Sequence, residues 1–174
     1  MLFGDSGEFA IEAYHEPMGP TYVGFGRMAL HIASVTIGDI HEEHCGLADA
    51  ANRLRTKAQL IGSLWNPIFS NHSDEEIFSL IDRELYVDYG QSDKDITIGQ
   101  HQYGKFDFLT NAGEQFDNFK TFLYTDPNGS VHILYQLRNG TIGSATCNAG
   151  TFETTVQAFV KWFDFQRNEK FGVA

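Results

Sequence analysis

Cysteine and positive charge are both scarce in this chain, and long apolar runs are absent. Cys45 and Cys147 are the only thiols among 174 residues. They lie far apart, with no paired spacing, which excludes a disulfide framework or a zinc ribbon and points to a reducing compartment. Twelve Lys and Arg against 23 Asp and Glu give a formal charge of −11. Such a surface repels a phosphate backbone or an anionic membrane, so neither nucleic acid nor membrane is expected as partner, whereas a basic protein remains open. No uncharged apolar stretch approaches the length of a membrane span. The opening Met1-Leu2-Phe3-Gly4-Asp5 lacks a basic start followed by an apolar run, so the expected compartment is the cytoplasm. No repeat, low-complexity tract or linker divides the sequence, and a single domain over 1–174 is expected.

What is present is enough apolar material for a core. The apolar fraction is 42%, with 15 phenylalanines, far more than a disordered chain carries. Phe9, Ile11 and Ala13 alternate with Glu8 and Glu12, the period of a strand with one buried face. Gly19-Pro20 marks a turn, and Thr21 to Ile37, rich in β-branched and aromatic residues, reads as two further strands, with Gly24 and Gly26 hinting at a bulge or sharp bend.

From Leu47 to Leu64 apolar residues recur at helical spacing, and the helix is expected to stop near Trp65-Asn66-Pro67. Ser73-Asp74-Glu75-Glu76 is a capping box ahead of Ile77, Leu80, Ile81 and Leu85, predicting a helix to Tyr86. Asp88 to Gln102 reads as a loop around a short strand at Asp95–Ile98. Phe119–Thr125, Val131–Leu137 and Thr141–Cys147 form a three-strand antiparallel meander, turned by Asp126-Pro127-Asn128-Gly129 and Arg138-Asn139-Gly140. Phe152, Val156, Phe159, Val160 and Phe163 line a helix from Thr151 to near Asn168. The expected class is α+β, a mainly antiparallel sheet with about three helices packed against it.

Catalytic signals are thin. His41-Glu42-Glu43-His44-Cys45 is the most metal-like stretch, but its histidines are three apart in an expected turn, not four apart on one helical face as in the zincin helix. A solvated polar connector is the simpler reading. Ser144 lacks the nucleophile elbow and reads as a strand residue facing solvent, and Cys147 reads as a buried structural thiol. Gly24-Phe25-Gly26 has no third glycine for a dinucleotide fingerprint. The expectation is therefore a protein with no catalytic residue, metal or cofactor. A carboxylate pair stays open as an alternative, since its geometry is invisible in sequence.

One surface stands out for protein contact. Asp82, Glu84, Asp88, Asp93 and Asp95 interleave with Tyr86 and Tyr89. Tyrosine supplies contact area at low entropy cost, while surrounding carboxylates steer a basic partner.

Three blocks carry a resemblance: Gly4-Asp5-Ser6-Gly7-Glu8-Phe9-Ala10-Ile11-Glu12; Gly26-Arg27-Met28-Ala29-Leu30-His31-Ile32 leading to Ile37-Gly38-Asp39; and Phe116-Asp117-Asn118-Phe119-Lys120-Thr121-Phe122-Leu123. In this order they resemble the immunity protein 42 family, whose members accompany polymorphic bacterial toxins and protect the producing cell. Phe119 stands where tryptophan is expected, an exchange that keeps the apolar character. The resemblance implies a cognate toxin protein as partner, neutralised by occlusion, and no catalytic residue to carry over. An acidic inhibitor suits a nuclease toxin, whose groove must be basic. Free protein as monomer or homodimer are both compatible with the sequence. The competing readings are a small hydrolase or metal-dependent enzyme using His41–Cys45 or a carboxylate pair, and a non-catalytic adaptor subunit.

Overall fold

The structure, a computed structural model, describes residues 1–16, 18 and 24–171, with side chains of 168–171 excepted. The turn expected at Gly19-Pro20 and the start of the strand expected from Thr21 lie outside the described residues. The strands form two antiparallel sheets rather than one. In the first, β1 (Leu2–Asp5), β2 (Phe9–His15), β3 (Phe25–Ile32) and β4 (Val35–Ile37) follow one another, and β5 (Cys45–Gly46) also pairs β3. The second is the expected meander, β6 (Phe119–Thr125), β7 (Ser130–Leu137) and β8 (Ile142–Asn148). Its turns place Gly129 and Gly140 at φ +84° and +87°, values that favour glycine.

Four α-helices surround the sheets among the described residues: α1 (Leu47–Leu60), α2 (Asp74–Tyr86), α3 (Asp93–Tyr103) and α4 (Ala149–Phe171). The capping box of α2 is formed as read, Ser73 accepting from the Glu76 amide and Glu76 accepting from the Ser73 amide. α3 corrects the loop and short strand expected over Asp88–Gln102. A second capping box, Ser92 with Asp95, starts it, and it packs on α2.

One continuous apolar cluster joins all of this. Phe9, Ile11, Met28 and Leu30 are buried on the first sheet, where Phe9 meets Phe152 of α4 with ring centroids 4.9 Å apart. α4 also reaches β7 and β8 and packs along α1, where Arg55 clasps Asp164 at 2.9 Å. The meander is thus covered on both faces. On the other face Phe122 meets Phe78 of α2 at 4.9 Å.

Gly26 turns out to mark a close approach rather than a bulge. It pairs with His15 on one side and Cys45 on the other. A Cβ there would run into the Tyr14 carbonyl and sit 2.8 Å from Leu47 Cδ1. Gly26→Ala is therefore expected to lower stability by about 2 kcal/mol, the cost of overpacking. A urea midpoint within error of wild type would show that the strands can part there.

Candidate functional site

The seven residues expected to meet a partner fall on the end of α2, the loop after it and the start of α3, two helices that pack together. They divide into two groups by what they touch. Asp82 is tied inward to Lys120 of β6 at 2.6 Å. Glu84 accepts from Arg83 at 2.7 Å and from the Tyr89 hydroxyl at 3.5 Å. Asp95 is occupied by the α3 capping box, accepting from the Ser92 hydroxyl at 2.7 Å. Tyr86 rests against Phe122 and beneath the Lys120 ammonium, 5.0 Å from the ring centroid. Burial, with the Asp107 carboxylate beside it, raises its phenol to about 12. These four residues build the platform, with one side of Tyr86 left open.

The others face outward. Asp88 accepts the Gly90 amide at 2.9 Å, Asp93 opens α3, and Tyr89 is 54% exposed. Sequence reasoning missed three apolar neighbours, Val87, Ile96 and Ile98. With Tyr86 and Tyr89 they make five of the twelve large hydrophobic residues exposed among those described, all within residues 86–98. Ile96 and Ile98, in the short strand expected at Asp95–Ile98, are instead exposed on α3. So many exposed apolar side chains among carboxylates in one short segment make it a candidate interaction site.

Concave places lie elsewhere as well. A cleft of about 410 Å³ on the first sheet is lined by Glu12, Tyr14, Glu16, Arg27, Ile40 and His41. Its carboxylates are already paired, Glu12 with His31 at 2.9 Å and Glu16 with Arg27 at 2.6 Å. A second cleft, of about 260 Å³, adjoins Tyr86 and includes Asp117, Asn118, Phe119 and Lys120.

The stretch His41–Cys45 does not converge. Glu43 bonds Arg27 at 2.8 Å, His44 leans toward Glu16 at 4.0 Å, and Cys45 is buried in β5. Burial raises the Cys45 thiol to about 11 and the Cys147 thiol to about 12, so neither supplies a thiolate near neutrality. Among the described residues no group of three or more His, Cys, Asp and Glu could hold a metal ion.

One titratable network escaped sequence reasoning because its members lie in three separate segments. Asp74, at the start of α2, accepts from the Tyr124 hydroxyl at 2.6 Å and meets His132 Nδ1 at 3.2 Å. His132 Nε2 faces Asp126 at 3.7 Å, and its ring stacks on Tyr124 with centroids 4.4 Å apart. The hydrogen bond from His132 dominates in holding the Asp74 carboxyl well below the usual range; burial opposes it, and Ser144 and Tyr124 assist. Burial works against the imidazolium of His132, but the two carboxylates outweigh it and raise its pKa. Ser144 is exposed, as expected, with its hydroxyl on Asp74. This serine thus bonds the acid of the cluster, whereas a nucleophile needs the base. The network staples α2 to the meander.

No helix among the described residues is long and apolar enough to cross a membrane. No curated protein matches the chain. The crystal structure of CdiI from Burkholderia dolosa AUO158 is similar in fold, with a TM-score of 0.62 and 13% identity over 93% of this chain and 99% of that one. The model of the family described as immunity protein 42 matches residues 1–162, nearly the whole length, and the chain therefore belongs to the immunity protein 42 family.

Proposed function

We propose that this immunity protein neutralises its cognate toxin by occlusion, docking the outward face of the α2–α3 hairpin over the toxin's active surface. The observation that carries the reading is that exposed Tyr86, Val87, Tyr89 and Ile96 lie with Asp88 and Asp93 in one short segment, the end of α2, its loop and the start of α3. Aromatic and aliphatic anchors supply the buried centre of such an interface, and the carboxylates speed encounter with a basic partner. Asp82, Glu84 and Asp95 serve by fixing the platform. Given a net charge of −11, the partner we favour is a nuclease toxin with a basic groove, met in the cytoplasm. The protein's part is binding, with no catalytic step of its own; a strongly acidic toxin would sink the nuclease assignment.

The test is co-expression with the toxin domain encoded just upstream, scoring survival, followed by affinity measurements on the purified pair. Tyr89→Ala is expected to weaken the complex about tenfold to a hundredfold, mostly through faster dissociation. Asp88→Lys with Asp93→Lys should slow association and flatten its salt dependence. Asp95 is left intact so that α3 keeps its cap. Unchanged affinity in both variants, with the fold preserved, would remove this face from consideration.

A further inference from the structure

We infer that the outer edge of β8 pairs with the same edge of a second copy of this chain, joining two meanders into one continuous six-stranded antiparallel sheet. This inference is independent of where the toxin docks.

The two edges of the meander differ. The register of β7 and β8 continues to the bonds Leu137 N–H to Thr141 O and Ala149 N–H to Gly129 O. In an antiparallel ladder this alternation turns the amides and carbonyls of Gly143, Ala145 and Cys147 toward β7, and those of Ile142, Ser144 and Thr146 outward. The opposite edge, on β6, is occupied: the Thr121 carbonyl accepts from the Phe108 amide, the Thr121 amide donates to the Thr110 hydroxyl, and the Thr125 amide donates to the Leu64 carbonyl. Along β8 only the Asn148 amide, which donates to Glu8 at 3.1 Å, is recorded with an outside partner among the described residues.

Edge strands that must stay single are protected by charge, proline, bulges or a covering element. β8 has none of the first two. Residues 139 to 152 contain neither a charged side chain nor a proline, and Gly143, Ser144, Ala145 and Thr146 are small enough for close backbone approach. Charge selects the occupant. Two copies of a chain carrying −11 repel over most of their surface, and a neutral strand is where they can meet. The strand is also self-complementary. A two-fold axis at Ser144 sets Ile142 opposite Thr146 and Ser144 opposite itself, all outward residues, giving about six hydrogen bonds. α2 crosses the meander, its start meeting β8 through Asp74 and Ser144 and its end reaching β6 through Tyr86–Phe122 and Asp82–Lys120. Residues 86–98, which follow that end, therefore start from the β6 side of the meander, away from the edge of β8.

The experiment is light scattering and sedimentation of the full chain over a concentration series, with amide hydrogen exchange at low and high concentration. A reversible dimer of the 19.5 kDa chain is expected, with a dissociation constant on the order of 10 µM for so small an interface. The amides of Ile142, Ser144 and Thr146 gain protection as it forms, while those of Gly143, Ala145 and Cys147 are protected throughout. Thr146→Pro, which removes an outward N–H at an edge position, and Thr146→Lys each weaken the dimer roughly a hundredfold or more. Toxin binding is retained in Thr146→Lys, which separates this inference from the proposed docking face. A monomer at all concentrations up to about 500 µM overturns the inference. So does a dimer that Thr146→Lys leaves intact and that protects none of the three outward amides. Should Thr146→Pro unfold, Thr146→Lys and the wild-type exchange pattern decide.

Discussion

Phe122→Ala is expected to lower stability by about 3–5 kcal/mol, the range for deleting a fully enclosed aromatic ring. Phe122 has no exposed surface. Its ring lies 4.9 Å from Phe78 and 6.2 Å from Tyr86, so it is the floor on which α2 sits. The substitution leaves a cavity beneath the helix and removes the backing of Tyr86. Two readouts follow. Urea unfolding gives the loss of stability, and toxin affinity measured where the variant is still folded should also fall. Phe159→Ala is the control. That ring is equally enclosed in α4 but remote from the hairpin, so it should cost similar stability and leave the folded protein's affinity unchanged. Equal affinity losses in the two variants would mean that the hairpin is not the docking face.

Asp74→Ala carries the second large effect, about 2–3 kcal/mol, less than for a fully enclosed ion pair because the group is partly exposed. It strips an acceptor from Tyr124 and an anion from His132 while both remain largely covered. The effect depends on pH with a definite sign. The pKa of His132 is raised in the folded protein, so its contribution is complete below the ordinary imidazole value of about 6.5 and is lost as pH rises through the folded value. The pKa of Asp74 is depressed, so its contribution is complete above the ordinary value of about 3.9 and is lost as pH falls through the folded one. The difference in stability between wild type and Asp74→Ala should therefore be greatest between about pH 4 and pH 6.5 and shrink on either side. A difference that keeps growing above pH 7 would contradict the assignment of His132 as the partner.

Legibility in sequence followed the range of the interactions. The capping box at Ser73 and the turns at Gly129 and Gly140 are local patterns, and each was found where the residues placed it. α3 was missed although Ser92 and Asp95 form the same kind of box, because the helix buries only Gly99 and Tyr103. Its stability comes from packing on α2, and an apolar stripe on its own sequence is hardly needed. β1 was missed for a related reason. Phe3 is its one inward anchor, packed on Phe159 and Trp162, and a single anchor shows no period. The division into two sheets depends on which strands pair, which side-chain alternation leaves open.

That the candidate residues lie near one another follows from their closeness in sequence. The roles among them do not. That Asp82 belongs to Lys120 of β6, and Asp95 to a cap, depends on partners that only the folded chain defines. The same holds for the Asp74–His132 pair, 58 residues apart. Family resemblance reached further than either, since its three blocks fall on β1–β2, β3–β4 and β6.

The packing of α4 against β1 and β2 bears on how fast this protein becomes active. Phe3 meets Phe159 and Trp162, and Phe9 meets Phe152, contacts that close nearly the whole length of the chain. Such closures must be made before the core rewards them, and they place folding at the slow end, on the order of milliseconds to seconds. A toxin arriving during that interval finds the chain not yet able to bind it. Because α4 is made last, the core closes only once almost the whole chain has left the ribosome, so a molecule able to bind its toxin appears only after full synthesis and then folding.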